Sequence, residues 1–175
     1  MLRPLLVLAV LSVAPAIAGV AAAKITPAWS YVPANVRAQL AAQSGGVLYL
    51  PARTPLFYRY RSGARVVDGK LSVTFTNRVR IRQGLWRWTR QTFLWQVLPL
   101  PASATCTTWA KPDKTYQYAG NKVYFANDAA GGKTWRCVTD RRGRKRVLVA
   151  SHASQFAGRP ILDPVASGLD VSGRR

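Results

Sequence analysis

Seven arginines fall in three short runs: Arg59, Arg61 and Arg65, then Arg78, Arg80 and Arg82, then Arg87. A guanidinium group is always charged and presents a planar fork of N–H donors, which suits phosphate, sulfate or carboxylate groups. Catalysis has less to work with. His152 is the single imidazole, and Ser151 beside it forms no triad without a distant Asp128 or Asp140. All six acidic residues are Asp, at no spacing that suggests a pair of working carboxylates. There is no glycine-rich phosphate loop. Cys106, Cys137 and one histidine do not make a metal-ligand pattern. The residue types point to a non-enzymatic protein that binds anions and carries no cofactor or metal.

The charge balance agrees. Twenty-six basic residues against six acidic ones give a net charge of +20 over 175 residues. Such an excess predicts attraction to anionic polymers and surfaces and says nothing about fold. Residues 1–23 read as a secretory signal peptide. Arg3 is the positive start, Leu5 to Val20 the apolar run, and Ala21-Ala22-Ala23 the cleavage site. The expected location is therefore secreted or extracytoplasmic, in the cell envelope. In that compartment Cys106 and Cys137, the only two cysteines, are expected to pair.

The arginines need strands to hold them. From Lys70 to Gln83, Leu71, Val73, Phe75, Val79 and Ile81 share one parity, and Ser72, Thr74, Thr76, Arg78, Arg80 and Arg82 the other. Period-two alternation predicts a strand with one buried and one wet face. Asp68-Gly69 predicts a tight hairpin to the preceding strand, Phe57 to Val67. In that register Val66 faces Leu71, Ala64 faces Val73, Tyr58 faces Val79 and Arg59 faces Arg78, with a bulge possible at Ser62-Gly63. A turn at Gln83-Gly84 sets Trp86 against Ile81, Trp88 against Val79 and Arg87 against Arg80. Both tryptophans are thereby expected in the core. A one-residue bulge near Arg90 to Thr92 then turns Phe93, Trp95 and Val97 inward. All seven arginines are expected on the outer face, with Arg–Arg pairs directly opposite one another.

Elsewhere, Pro33 to Ser44 reads as one short helix stopped by Gly45-Gly46. Tyr116 to Ala126 reads as a hairpin across Gly120-Asn121, and Lys133 to Ser151 as one across the basic loop Asp140 to Arg144. The composition of residues 157–175 suggests a loosely ordered tail. The expected fold is α+β and mainly β: a single domain over residues 24–156, built as a curved antiparallel meander sheet or half-barrel with one N-terminal helix. A β-sandwich is the alternative.

The segments Leu50-Pro51, YRYR at Tyr58–Arg61, DGKLSVTF at Asp68–Phe75, Cys106, GNKVYF at Gly120–Phe125, TWRCV at Thr134–Val138 and VLVAS at Val147–Ser151 together resemble a group of secreted β-rich proteins of high-GC Gram-positive bacteria. They are also loosely similar to extracytoplasmic β-rich domains attached to envelope-stress regulators. The resemblance covers Val47 to Ser151 and implies export and a β-rich domain; it carries no activity and no site residues. Two functions follow as expectations. One is an exported binding module whose arginine face, Arg59, Arg61, Arg65, Arg78, Arg80, Arg82 and Arg87, holds anionic envelope polymers or membrane surfaces. The other is an extracytoplasmic sensing or interaction protein that docks an acidic protein partner. No specific nucleic-acid role is expected.

Overall fold

The computed structural model describes residues 26–55, 57–128, 131–152 and 164–174. The signal-peptide reading lies outside the described residues. The strands are β1 (Tyr49–Pro51), β2 (Tyr58–Val67), β3 (Lys70–Arg82), β4 (Leu85–Pro99), β5 (Lys114–Tyr118), β6 (Asn121–Asp128), β7 (Gly131–Thr139), β8 (Lys145–His152) and β9 (Gly168–Asp170). Among the helical segments that join them are α1 (Ala34–Gln43) and α2 (Cys106–Trp109), with a 3-10 turn at Ala28–Tyr31 before α1. The protein is mainly β, as the alternation predicts, with an open antiparallel sheet of seven strands and one short helix near its N-terminal end.

Two meanders make that sheet. β2, β3 and β4 run in sequence, and β5 to β8 run back so that β8 pairs with β4. The segment between the meanders carries α2, and the Cys106–Cys137 disulfide ties it to β7, with the two Cα atoms 5.7 Å apart. Hairpin chemistry drives the turns. Asp68 and Gly69 have φ of 50° and 70°, the left-handed pair that a two-residue hairpin requires. The β5–β6 turn falls at Ala119-Gly120, one residue earlier than the glycine-asparagine pair suggests. Asn121 is instead in the strand, where its amide donates to the Ala119 and Ala166 carbonyls.

The two faces are covered unequally. On one, Leu71, Val73, Phe75, Phe93, Trp95, Val97, Val123, Leu148 and Ala150 pack beneath α1 and β1. On the other, Tyr124, Ala126, Trp135, Val147 and Val149 pack with Leu100 and α2. Residues 147–150 are thus buried on both sides, which explains why VLVA shows no polar alternation. The first meander lacks this double cover: Leu71, Val73 and Phe75 of β3 are buried on the face beneath α1 and β1 only.

The C-terminal stretch differs from expectation. Residues 157–163 lie outside the described residues, but residues 164–174 are no loose tail. β9 pairs with β1, and Val165 and Val171 are buried in the main core. Arg136 holds this stretch in place: its guanidinium donates to the Val165 carbonyl (2.8 Å) and to that of Gly168, and its position on β7 is fixed by the sheet. Burial pushes its pKa below the usual guanidinium range, partly offset by Tyr49. Composition alone could not reveal an arginine that anchors a distant segment through backbone carbonyls.

The basic loop is also structural. Asp140 is buried, and its carboxylate accepts from the backbone N–H of Arg142 (2.9 Å) and Arg144 (3.0 Å) and from the Arg144 and Arg146 side chains. Burial alone would raise its pKa, but these donors hold it at about 2. Arg141 reaches the Gly46 carbonyl beyond α1 and pairs with Asp170 at 3.6 Å. The loop therefore staples α1, β7, β8 and β9 together.

Two predictions follow from these ties. The Asp140 carboxylate contributes roughly 2 kcal/mol above its unfolded pKa of about 3.9, and the contribution disappears as pH falls through about 2. Asp140→Asn should therefore lose most stability at neutral pH, and its deficit against wild type, measured by denaturant unfolding at pH 7, 4 and 2, should shrink with acid. Breaking the disulfide by Cys106→Ser with Cys137→Ser opens a 31-residue loop and should cost about 3–4 kcal/mol. A melting curve should then move down by roughly 10 °C.

Candidate anion-binding face

Near the Asp68-Gly69 turn the register is the expected one: Val66 opposite Leu71, Arg65 opposite Ser72, Ala64 opposite Val73. Between Ala64 and Tyr60 the strand β2 bulges, and Tyr60, Arg59 and Tyr58 then face Phe75, Thr76 and Asn77. Arg59 is therefore across from a threonine, and the expected Arg59–Arg78 pair does not form. The Ser62-Gly63 step supplies the slack, with Gly63 at a φ of 84°.

The β3–β4 pair differs more. Leu71, Val73 and Phe75 face Val97, Trp95 and Phe93 as expected. Then Thr76 pairs with Thr92 while Arg78 pairs with Trp88, so Asn77 lies opposite three residues, Thr89, Arg90 and Gln91. Two extra residues enter β4 where a single-residue bulge is expected. Polar side chains close the irregularity: Asn77 donates to the Gln91 amide oxygen at 2.7 Å, and the Thr89 hydroxyl donates to the Asn77 carbonyl at 3.2 Å. An insertion of two preserves parity along β4, whereas an insertion of one inverts it. Trp86 and Trp88 consequently leave the core side and join Arg78 and Arg80, with Trp86 opposite Arg80 and Trp88 opposite Arg78. The core placement expected for both tryptophans is wrong; they are 37% and 36% exposed.

The same shift redistributes the arginines. Arg59, Arg61, Arg65, Arg78 and Arg80 occupy the outer face. Arg87 pairs with Val79 on the reverse side, and Arg82 pairs with Leu85, past a second irregularity at Ile81. Five of the seven share a face; Arg82 and Arg87 do not. Nor does Arg80 oppose Arg87. Each expected like-charge contact is replaced by pairs of an arginine with an uncharged residue (Arg59 with Thr76, Arg78 with Trp88, Arg80 with Trp86, Arg87 with Val79), which removes a destabilising cross-strand repulsion.

Stacking organises the face. The Arg78 guanidinium lies 4.5 Å from the Trp86 ring centroid, Arg61 lies 5.6 Å from that of Trp88, and Arg59 lies 4.2 Å from that of Tyr31. Phe57 meets Trp86 at 5.6 Å. Its backbone, at a φ of 71°, turns its carbonyl to accept from the Arg78 N–H. A stacked guanidinium commits its flat surface and keeps N–H edges for an anion. Among the described residues none of the seven arginines has a carboxylate partner; the ion pairs run from Arg141, Arg144 and Arg146 to Asp140 and Asp170. Both cysteines are in the disulfide, which leaves no thiol nucleophile. No group of three His, Cys, Asp or Glu side chains among the described residues could hold a metal ion.

The aromatic members of the face were the part that sequence reasoning missed. A signal for them existed: Arg87 and Arg90 lie on opposite parities within Leu85 to Arg90, so neither face of this part of the strand is free of charge. The face also alters what the distal half of β3 contributes to stability. Ile81 is 55% exposed and Val79 only partly buried, while Val73 is fully buried. Ile81→Gln should change the unfolding free energy by less than about 0.5 kcal/mol. Val73→Gln should cost several-fold more, because it removes apolar burial worth about 1.5–3 kcal/mol and buries an amide. Paired denaturant titrations check the contrast. Compared with known proteins, the chain matches no family model, no curated protein and no solved structure.

Proposed function

We propose that this protein is a non-enzymatic, exported binding module that holds anionic polymers or surfaces of the cell envelope on its arginine-bearing sheet face. One observation carries the reading. Arg59, Arg61 and Arg78 are stacked on aromatic rings, beside Arg65 and Arg80, with no carboxylate partner among the described residues. A protein of net charge +20 concentrates polyanions on any surface, but stacking on rings pre-orders these side chains and lowers the entropy lost on binding. Of the acidic side chains that are described, Asp68 borders the face beside Arg65 at the β2–β3 turn without an ion pair to it, while Asp113 lies before β5 and Asp140 and Asp170 lie in the loop staple. Export is supported by the disulfide, which suits an oxidising compartment, and by the N-terminal apolar run after Arg3.

Binding to a soluble polyanion such as polyphosphate should weaken steeply with salt, because each phosphate contact releases counterions. Replacing Arg61, Arg78 and Arg80 together by Gln should lower the log–log salt slope by roughly 2–3, at about 0.7–0.9 per lost contact, with the fold intact by circular dichroism. Replacing Arg82 and Arg87 on the reverse side should lower it less. Titration calorimetry over a salt series reads both. An unchanged slope in the triple variant would mean that the charge is diffuse and that this face is no site. Saturation at one partner per chain by acidic protein, with no polyphosphate binding, would favour docking of an acidic protein instead.

A further inference from the structure

The distal part of the β3–β4 hairpin projects beyond the rest of the sheet. β2 leaves β3 at Asn77, and β8 leaves β4 at Phe93. Among the described residues no strand flanks the hairpin from Val79 to Thr89. Five strand residues at about 3.3 Å each make an arm of roughly 15 Å. Its exposed apolar side chains are Ile81, Leu85, Trp86 and Trp88, with Phe57 at its base. Apart from Val67, these are all the large apolar side chains exposed among the described residues. Arg78, Arg80, Arg82, Arg87 and Arg90 accompany them, and no acidic residue occurs between Asp68 and Asp113.

The distribution over the two faces is informative. Trp86 and Trp88 lie with Arg78 and Arg80, while Leu85 and Val79 lie with Arg82 and Arg87. Both faces therefore carry apolar groups and cations. A flat protein partner covers one face of a two-stranded arm and leaves the other in water. A hydrophilic polymer engages the arginines but gives Ile81 and Leu85 no reason to be exposed. The headgroup layer of a bilayer surrounds a projecting arm on all sides. It takes tryptophan rings at its boundary, aliphatic tips below, and arginine side chains that reach back to lipid phosphates.

We propose that the Val79–Thr89 arm inserts into the headgroup layer of an anionic membrane, with Trp86, Trp88, Leu85 and Ile81 buried among lipid and the arm arginines on lipid phosphates. This rests on the anion-binding reading above and narrows it from any polyanion to a lipid surface. The tip residues Gln83 and Gly84 carry no charge that would resist entry, and Gly84, at a φ of 77°, keeps the turn compact.

The test uses the chain from Lys24 onward, which contains every described residue and lacks the apolar N-terminal run. It is mixed with vesicles of phosphatidylcholine containing phosphatidylglycerol, with pure phosphatidylcholine vesicles, and separately with polyphosphate. Binding to the anionic vesicles is expected, with tryptophan emission quenched by lipids brominated near the headgroups. Trp86→Ser with Trp88→Ser should lower the vesicle partition at least about ten-fold and abolish the quenching, and should also weaken polyphosphate binding, because Arg61 and Arg78 stack on these rings. Ile81→Ser with Leu85→Ser, which touches none of the stacked pairs, should lower the vesicle partition about ten-fold while polyphosphate affinity changes by no more than about two-fold. Each arm arginine replaced by Gln should lower the partition by about five-fold. Near-ultraviolet circular dichroism confirms that the variants are folded. Polyphosphate binding without vesicle binding would overturn the insertion and leave the anion-binding reading standing. Vesicle binding unaffected by the double tryptophan replacement, or equal on neutral vesicles, would also overturn the insertion. A stable dimer in solution that buries the arm and binds no vesicles would do the same. Absence of binding to both vesicles and polyphosphate would overturn the two readings together.

Discussion

The fold depends on where one indole is held. Trp95 is fully buried on β4, the strand that joins the two meanders, and its Nε1–H donates to the Tyr49 carbonyl of β1 at 3.0 Å. Across the ring lies Gly168 of β9, where an added Cβ would approach Trp95 Cη2 and Leu148 Cδ1 to 2.8 Å. The ring thus bonds one strand of the β1–β9 ribbon and sets how closely the other approaches. A buried N–H without an acceptor costs about as much as a lost hydrogen bond, so the ribbon and the large sheet are placed by the same group. Phe75 and Phe93, stacked at 4.9 Å between centroids, extend the packing toward the hairpin arm.

A chain with few acids has to satisfy its buried cations in another way. Arg37 is buried and donates to the Val32 and Arg174 carbonyls, with Trp29 against its guanidinium at 4.9 Å. Arg136 uses Val165, Gly168 and the Asn121 side chain. Carbonyl oxygens at loop and strand ends thereby do the work that carboxylates do in more balanced proteins, and in doing it they tie residues 164–174 to α1 and to β7. Asp140, the one buried carboxylate described, accepts from Arg142 and Arg144 of its own loop and from Arg146 of β8. Asp140 and Asp170 are both taken up in this corner of the fold, and the arginines on the outer face of the first meander have no carboxylate partner among the described residues.

Two irregularities convert an ordinary amphipathic sheet into that face. The slack in β2 at Ser62-Gly63 moves Arg59 off its expected neighbour. The three residues opposite Asn77 carry Trp86 and Trp88 from the core side to the arginine side. A bulge changes pairing by a residue or two, and with a side-chain period of two that count decides which face every later residue occupies. The arm beyond it has no core to bury its apolar groups, and this separates it from the strands that support it.

Much of this was legible from residue order. Alternation from Leu71 to Phe75, the Asp68-Gly69 turn, the helix ended by Gly45-Gly46 and the pairing of the only two cysteines are local signals, each set by backbone or side-chain chemistry within a few residues or by elimination. The arginine density and the lack of acids were equally plain. Three things were not: the pairing of β8 with β4, the packing of Val165 and Val171 into the core, and the side of the sheet on which Trp86, Trp88, Arg82 and Arg87 lie. The first two depend on contacts between segments far apart in the chain, where periodicity carries no information. The last depends on whether one or two residues enter a bulge. That choice was made by the hydrogen bonds of Asn77, Thr89 and Gln91 and by the cost of opposing one arginine with another, both of which exist only once the strands have met.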